Sequence, residues 1–325
     1  MLDIIVTHWN EPWETGKKFF DMLGCQRGID FSQFQVILVH DGGRKFPQHY
    51  FWQYPYRVTQ YTIPHGGVSA ARNYGLDMAK DKWVEFCDFD DMYSGAYSLR
   101  MILEHMEKDI DYMWVSFLTE YEKNGELYVK ETGENIVFVH GKYFRREWLI
   151  ENGIRFPEGI HYSEDSGFCA IVNEMALPDR RGRVKTKFPI YIWCVRKDSV
   201  SMKPENVRKN MTGFLDRNFY VVEEFIRRGI PHRLMVGRMF ADAYWAFHQQ
   251  AVRLPEEEER FAAEARQYVP DLRKNSAQDM ENVMNAARVF FTGMEEENPE
   301  PFDTWVDRIM AEKGGDENAV AVQQG

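Results

Sequence analysis

The chain has 325 residues, 44% of them hydrophobic and 15% aromatic, which excludes a disordered polypeptide and leaves room for about two domains. A net charge of −11 argues against a duplex-DNA binder, which would carry a basic face. No apolar run approaches the roughly 18 residues of a membrane span, and the start "MLDIIVTHWN" lacks a basic leader region, so a soluble cytoplasmic protein is expected.

"DIIVTH" (Asp3 to His8) is a β-branched run suited to a strand buried on both faces. "NEPWETGKKFFDMLG" reads as a helix, with Asn10 as its cap, Pro12 in the first turn and Gly24 just past its end. "QVILVHDGG" is a second strand running into a glycine turn, and "YRVTQYTI" a third. "VSAARNYGLDMAK" (Val68 to Lys80) is a helix in which Ala71, Gly75 and Ala79 recur every four residues, a spacing that lets a helix lie close to a sheet. "KWVEFCDF" is the fourth strand. The alternation predicts a mostly parallel, doubly wound α/β sheet, in which ligands sit beyond the carboxyl ends of the strands. Asp41-Gly42-Gly43 and Asp88-Phe89-Asp90-Asp91 both fall there.

Further on, "DYMWVSFLTEY", "NIVFVHGKYF" and "VKTKFPIYIWCV" read as strands, and the basic run "RRGRVKTK" as a solvated hairpin. From about Pro204 the period becomes helical, so the expected division is a catalytic domain over 1–204, a helical region over 205–313 and a frayed tail over 314–325. The four cysteines show no CxxC spacing, so no zinc site or disulfide scaffold is expected.

A D-x-D pattern is a weak signal, expected about once or twice by chance in a chain this long. Asp109-Ile110-Asp111 is one such case, read as a solvated helix-to-strand connection. Asp88, Asp90 and Asp91 differ, because three carboxylates follow directly on a buried strand. Either the turn is fully solvated or a hard cation, Mg²⁺ or Mn²⁺, offsets their repulsion.

Taken together, the motifs "IIVTHWNE", "HDGG", "GGVSAARNYG", "CDFDD" and the Glu164-Asp165 pair, in this order, resemble the GT-A glycosyltransferases of the family 2 type over roughly residues 1 to 204. That resemblance implies a Rossmann-like, doubly wound mixed sheet and an inverting, metal-dependent glycosyltransferase. Its donor would be a nucleotide sugar, UDP-linked as the first expectation, and its acceptor is left open. By motif position, Thr7 and Asp41 would contact the base, Arg72 the nucleotide or phosphate, and Asp88 the ribose or sugar. Asp90 and Asp91 would ligate the metal, with Asp90 the principal ligand. Asp165 would be the general base, with Glu164 orienting it or binding acceptor. Arg196 and Lys197 would meet the diphosphate. His40 and Gly43 replace the Asp and Ser of the family pattern, and no histidine after the Glu-Asp pair offers an extra metal ligand.

Two other readings compete with this one. A sugar-nucleotide nucleotidyltransferase would carry a glycine-rich loop after the first strand, where this chain has "THWNEPW". A non-catalytic sugar- or nucleotide-binding protein on the same fold would have no need of the intact acids.

Overall fold

Strands β1 (Leu2–His8), β2 (Phe34–Asp41), β3 (Arg57–Ile63) and β4 (Trp83–Asp88) form where the apolar runs stand. A computed structural model describes residues 1–106, 109–133, 137–195, 206–249, 255–268 and 300–311. β1 is buried along its whole length and pairs in parallel with β2 and β4, while β2 pairs in parallel with β3. Helices α1 (Trp13–Gly24) and α2 (Val68–Met78) supply the crossovers. The α1 cap is Pro12 rather than the expected Asn10, whose φ of 60 places it in a left-handed turn; Gly24 is the last helical residue, not the one after.

The main sheet adds β6 (Tyr112–Trp114), β9 (Lys142–Arg145) and β10 (Arg181–Arg183), giving the order β10-β6-β9-β4-β1-β2-β3. β9 is antiparallel to both β4 and β6, so the sheet is mixed, as expected for the GT-A fold. The basic run is therefore not a solvated hairpin. Its first residues form β10, a parallel edge strand on β6. Nor is the Asp109–Asp111 connection simply solvated: Asp111 is buried and accepts from Arg180 Nε at 2.6 Å.

A second sheet, ordered β5-β11-β7-β8, is built from β5 (Met92–Tyr93), β7 (Phe117–Lys123), β8 (Glu126–Thr132) and β11 (Tyr191–Cys194). The stretch "DYMWVSFLTEY" thus divides between the two sheets, while in "VKTKFPIYIWCV" only Tyr191–Cys194 forms a strand, β11. Short helices α3 (Ser98–Leu103) and α4 (Arg146–Glu151) and the longer α5 (Glu164–Met175) complete the α/β part. The chain divides into two compact units, Met1–Ile230 and Pro231–Gly325, so α6 (Val207–Arg227), which packs on α5, belongs to the first. The expected break at 204 and the expected tail over 314–325 lie outside the described residues.

The second unit contains α7 (Arg233–Gln249), α8 (Pro255–Ala265) and α9 (Phe302–Met310). Trp305 is fully buried at its centre among the rings of Phe240, Tyr244, Phe261 and Phe302. Among the described residues no helix is long and apolar enough to cross a membrane.

The small-residue spacing on α2 does what it predicts. A Cβ on Gly75 would lie 2.3 Å from Ile5 Cγ2 of β1, far inside van der Waals contact. Gly75→Ala is expected to lift α2 off the sheet and cost about 1–3 kcal/mol, read as a lowered denaturation midpoint with an unchanged m-value.

At the carboxyl ends of β1 and β2, His8 and His40 are register partners whose rings meet edge to face. Burial lowers the His40 pKa to about 4, so this ring is neutral. Its Nε2 faces Gln60 Oε1 at 3.0 Å, and that amide is oriented by paired bonds to the Phe46 backbone. His40 Nε2 therefore donates, its Nδ1 accepts, and His8 Nδ1 donates across 2.9 Å. His8 Nε2 also meets an acceptor, the Glu11 carbonyl at 2.8 Å. The His8 ring also lies against the rings of Phe46 and Phe89.

Candidate active site

Three strand ends and one helix start converge. β1 ends near Thr7, β2 at Asp41, β4 at Asp88, and α5 begins at Glu164. The side chain that connects the last two is Arg72, on the first turns of α2 and almost fully buried. Its Nη2 donates to Asp88 Oδ1 at 2.9 Å and its Nη1 to Glu164 Oε1 at 2.8 Å, while the guanidinium lies over the Phe156 ring at 5.1 Å. Burial works against its charge, but Asp88, Glu164 and Asp165 outweigh burial and raise its pKa. The next residue, Asn73, accepts from Phe156 N at 2.9 Å and donates to Phe156 O at 3.0 Å. The "SAARN" motif thus has a mechanical reading. Arg72 ties β4 to α5, and Asn73 clamps the segment that leads into α5.

Asp88 is half-buried. Burial pushes its carboxyl up, but Arg72 and His140 hold it below the usual range, with Thr7 Oγ1 a long 3.5 Å away. Asp91 is fully buried, and it accepts from Tyr191 Oη at 2.6 Å and from Cys194 N at 2.9 Å. Burial, and then repulsion from Asp88 and Asp90, raises its pKa well above the usual range. Carboxyls gathered this closely offer the charge that a divalent ion neutralises. Asp90 stands half-buried in the same turn.

A histidine that sequence reasoning did not pick joins the acids. His140 is buried, stacked on Tyr191 and Trp193, with Nδ1 3.7 Å from Asp91 Oδ2 and without a hydrogen-bond partner. Burial lowers its pKa to about 4, leaving the neutral ring that ligates metals. Asp88, Asp91 and His140 each present a ligand atom, all within 4.8 Å of one another. Carboxylates with one imidazole suit Mn²⁺ or Mg²⁺, so the residues present fit the expected ion. His140 stands in "VHGK", ahead of the Glu164-Asp165 pair, where Gly141 at φ 65 turns the chain into β9.

Asp165 opens α5 behind Ser163, whose φ of 63 is left-handed, a conformation that costs a non-glycine residue on the order of 1 kcal/mol or more. Its Oδ1 accepts from Ser166 N at 2.7 Å. Burial first, then the charge of Glu164, raises its pKa to about 7, against the pull of Arg72. Glu164 points to Arg72 rather than to Asp165. Asp41 is also engaged: Gly66 N, Gly67 N and His65 Nδ1 lie at 2.7, 3.0 and 2.9 Å from its carboxylate, pinning the loop that opens α2. Arg196 and Lys197 lie outside the described residues. β11, ending two positions before Arg196, is anchored to Asp91 through the Cys194 amide.

The model of the family described as Glycosyl transferase family 2 matches residues 3–179. Among curated relatives, the minor teichoic acid biosynthesis protein GgaB of Bacillus subtilis (strain 168) is 28% identical over 202 residues, 56% of this chain and 22% of GgaB. The uncharacterized glycosyltransferase EpsJ of the same organism is 28% identical over 160 residues, 42% of this chain and 46% of EpsJ. The chain thus spans less than half the length of either. The uncharacterized glycosyltransferase YibD of Escherichia coli (strain K12) is 23% identical over 252 residues, 68% of each chain. Among solved structures, residues 1–349 of S. aureus TarS superpose with a TM-score of 0.59 at 17% identity, covering 90% of this chain and 91% of that one. TarS is also known in complex with UDP and with UDP-GlcNAc. The mannosyltransferase PcManGT of Pyrobaculum calidifontis, in complex with GDP-Man and Mn²⁺, gives 0.50 at 14% identity over 95% of this chain and 83% of that one. At such identities the superpositions speak for the fold alone.

Proposed function

Since the chain belongs to glycosyl transferase family 2 and is a glycosyltransferase, we propose that it moves a sugar from a nucleotide-sugar donor, a UDP-sugar first among them, to an acceptor hydroxyl. The reaction is a single in-line displacement that inverts the anomeric carbon, with Asp165 as general base. The observation that carries this reading is the Arg72 bridge, which holds Asp88 at the end of β4 and Glu164 at the start of α5 on one guanidinium. UDP and UDP-GlcNAc in TarS, and Mn²⁺ in PcManGT, support the choice of donor and ion.

Asp88, Asp90, Asp91 and His140 are the residues that would hold Mn²⁺ or Mg²⁺. The ion, when bound, supplies Lewis-acid neutralisation of the departing diphosphate. Thr7 and Asp41 border the base position, and Arg196 is the proposed diphosphate contact. Arg72 keeps Asp88 ionised and Glu164 turned away from Asp165. Asp165, poised near neutrality, takes the acceptor's proton as its oxygen attacks, with the pKa match that general-base catalysis needs.

The test is a donor screen with Mn²⁺ and UDP-, GDP- and dTDP-sugars, following nucleotide release and thermal shift. A UDP-sugar is expected to release nucleotide and to stabilise the protein in a manganese-dependent way. In Asp90→Ala the manganese-dependent shift is expected to vanish. A variant that keeps the full shift removes Asp90 from the proposed metal set.

A further inference from the structure

We propose that β8 is a pairing edge for a second copy of this chain, the two strands running antiparallel about a twofold axis at Tyr128. β8 ends the second sheet, and every residue from Glu126 to Glu131 is exposed. Leu127 and Val129 are 65% and 55% exposed. Across the hairpin they face Glu122 and Glu120 of β7, so their own sheet offers them no apolar cover. Edge strands that must stay single are normally shortened, bulged, broken by proline or guarded by charges of one sign, whereas the charges on β8 include both Glu126 and Lys130. β8 is seven residues long, carries no proline and pairs with β7 in an unbroken register.

Its sequence is self-complementary in one register. Antiparallel pairing centred on Tyr128 sets Glu126 against the second copy's Lys130, and Leu127 against its Val129. Tyr128 then meets its own counterpart, extending the stack it already makes with Tyr121 at 5.6 Å. By symmetry each of the first two contacts occurs twice. One face gains two ion pairs around the tyrosines, and the other gathers four aliphatic side chains. Moving the axis one residue either way sets Leu127 against Glu131, or Val129 against Gly125, and loses both sets of contacts. Only the Tyr128 register satisfies charge and hydrophobicity together, and it continues the sheet across both copies.

A single strand pair is a small contact, so the dimer is expected to be weak and concentration-dependent. Sedimentation velocity from micromolar to near-millimolar protein is expected to show a monomer–dimer equilibrium. Glu126→Lys sets lysines against Lys130, and Lys130→Glu sets glutamates against Glu126. Each is expected to weaken association by about tenfold, two altered pairs acting per dimer. The double variant Glu126→Lys/Lys130→Glu restores opposite charges and is expected to recover it. In the dimer, β8 amides should gain hydrogen-exchange protection. A monomer at every concentration, or a dimer indifferent to both single swaps or not recovered in the double, overturns the proposal.

Discussion

Replacing Asp165 with asparagine is expected to lower turnover by at least about a hundredfold and, at the same time, to make the protein more stable. The two effects share one cause. The carboxyl is desolvated and stands beside Glu164, so its pKa rises to about 7. A carboxyl whose native pKa lies above its unfolded value binds its proton more tightly when folded. Stability therefore falls as pH rises from about 4 to about 7, and the full penalty is present above that. Asparagine has no charge to penalise. Its melting temperature should exceed the wild type's by a few degrees above pH 7, and the difference should vanish toward pH 4. Wild-type kcat/KM, conversely, should climb with pH through about 7 and fall tenfold per unit on the acid side. Manganese-dependent nucleotide binding should survive in the variant. If Asp165→Asn turned over normally, another group would be the base. A variant that was inactive and also less stable would mark Asp165 as structural.

The second large effect belongs to Arg72. Arg72→Ala removes a buried guanidinium from between Asp88 and Glu164 and leaves two carboxylates without their counter-charge. Breaking a buried pair in this way costs about 3–5 kcal/mol, on the order of ten degrees in melting temperature for a unit of this size. The loss should depend on pH. Arg72 holds the Asp88 pKa below the usual carboxylate range. The stabilisation is complete above that range and is lost as pH falls through the lower native value, so wild type and variant should converge in acid. Arg72→Lys should rescue only part, because one ammonium cannot span both acids as a fork and cannot lie flat on Phe156. Thermal denaturation across pH reads all three outcomes. A variant as stable as wild type at pH 7 would show that the bridge contributes nothing to holding β4 against α5.

What was legible in the sequence follows physical distance along the chain. β1, β2 and β4 are nearly continuous apolar runs because each is covered on both faces, so the run itself marks them, whereas β3, at the edge of the sheet, is only part-buried. The α2 motif was legible because Gly75 meets β1 directly and Ala71 is fully buried. β9 and β10 are only four and three residues long, and their direction is set by neighbours far away in sequence, so a single stretch could not reveal it. The β7–β8 hairpin did carry a signal, Asn124-Gly125 between alternating strands, with φ of 55 and 82 as a tight hairpin turn requires. At the site, the acids were visible as a cluster. Arg72 was expected to reach the nucleotide, and in the structure its two ends are taken by carboxylates. That outcome depends on where the segment clamped by Asn73 delivers Glu164. His140 stayed hidden because it meets Asp91 only once β11 stacks beside it.

The central claim is that the acids following β4 bind the divalent ion that carries the donor's pyrophosphate. Anomalous scattering from a crystal grown with Mn²⁺ and UDP tests it most directly. The account predicts one manganese peak within ligating distance of Asp90 and in contact with the diphosphate, with His140 or Asp88 beside it. A peak remote from Asp90, or UDP bound with no ion near these acids, would contradict it.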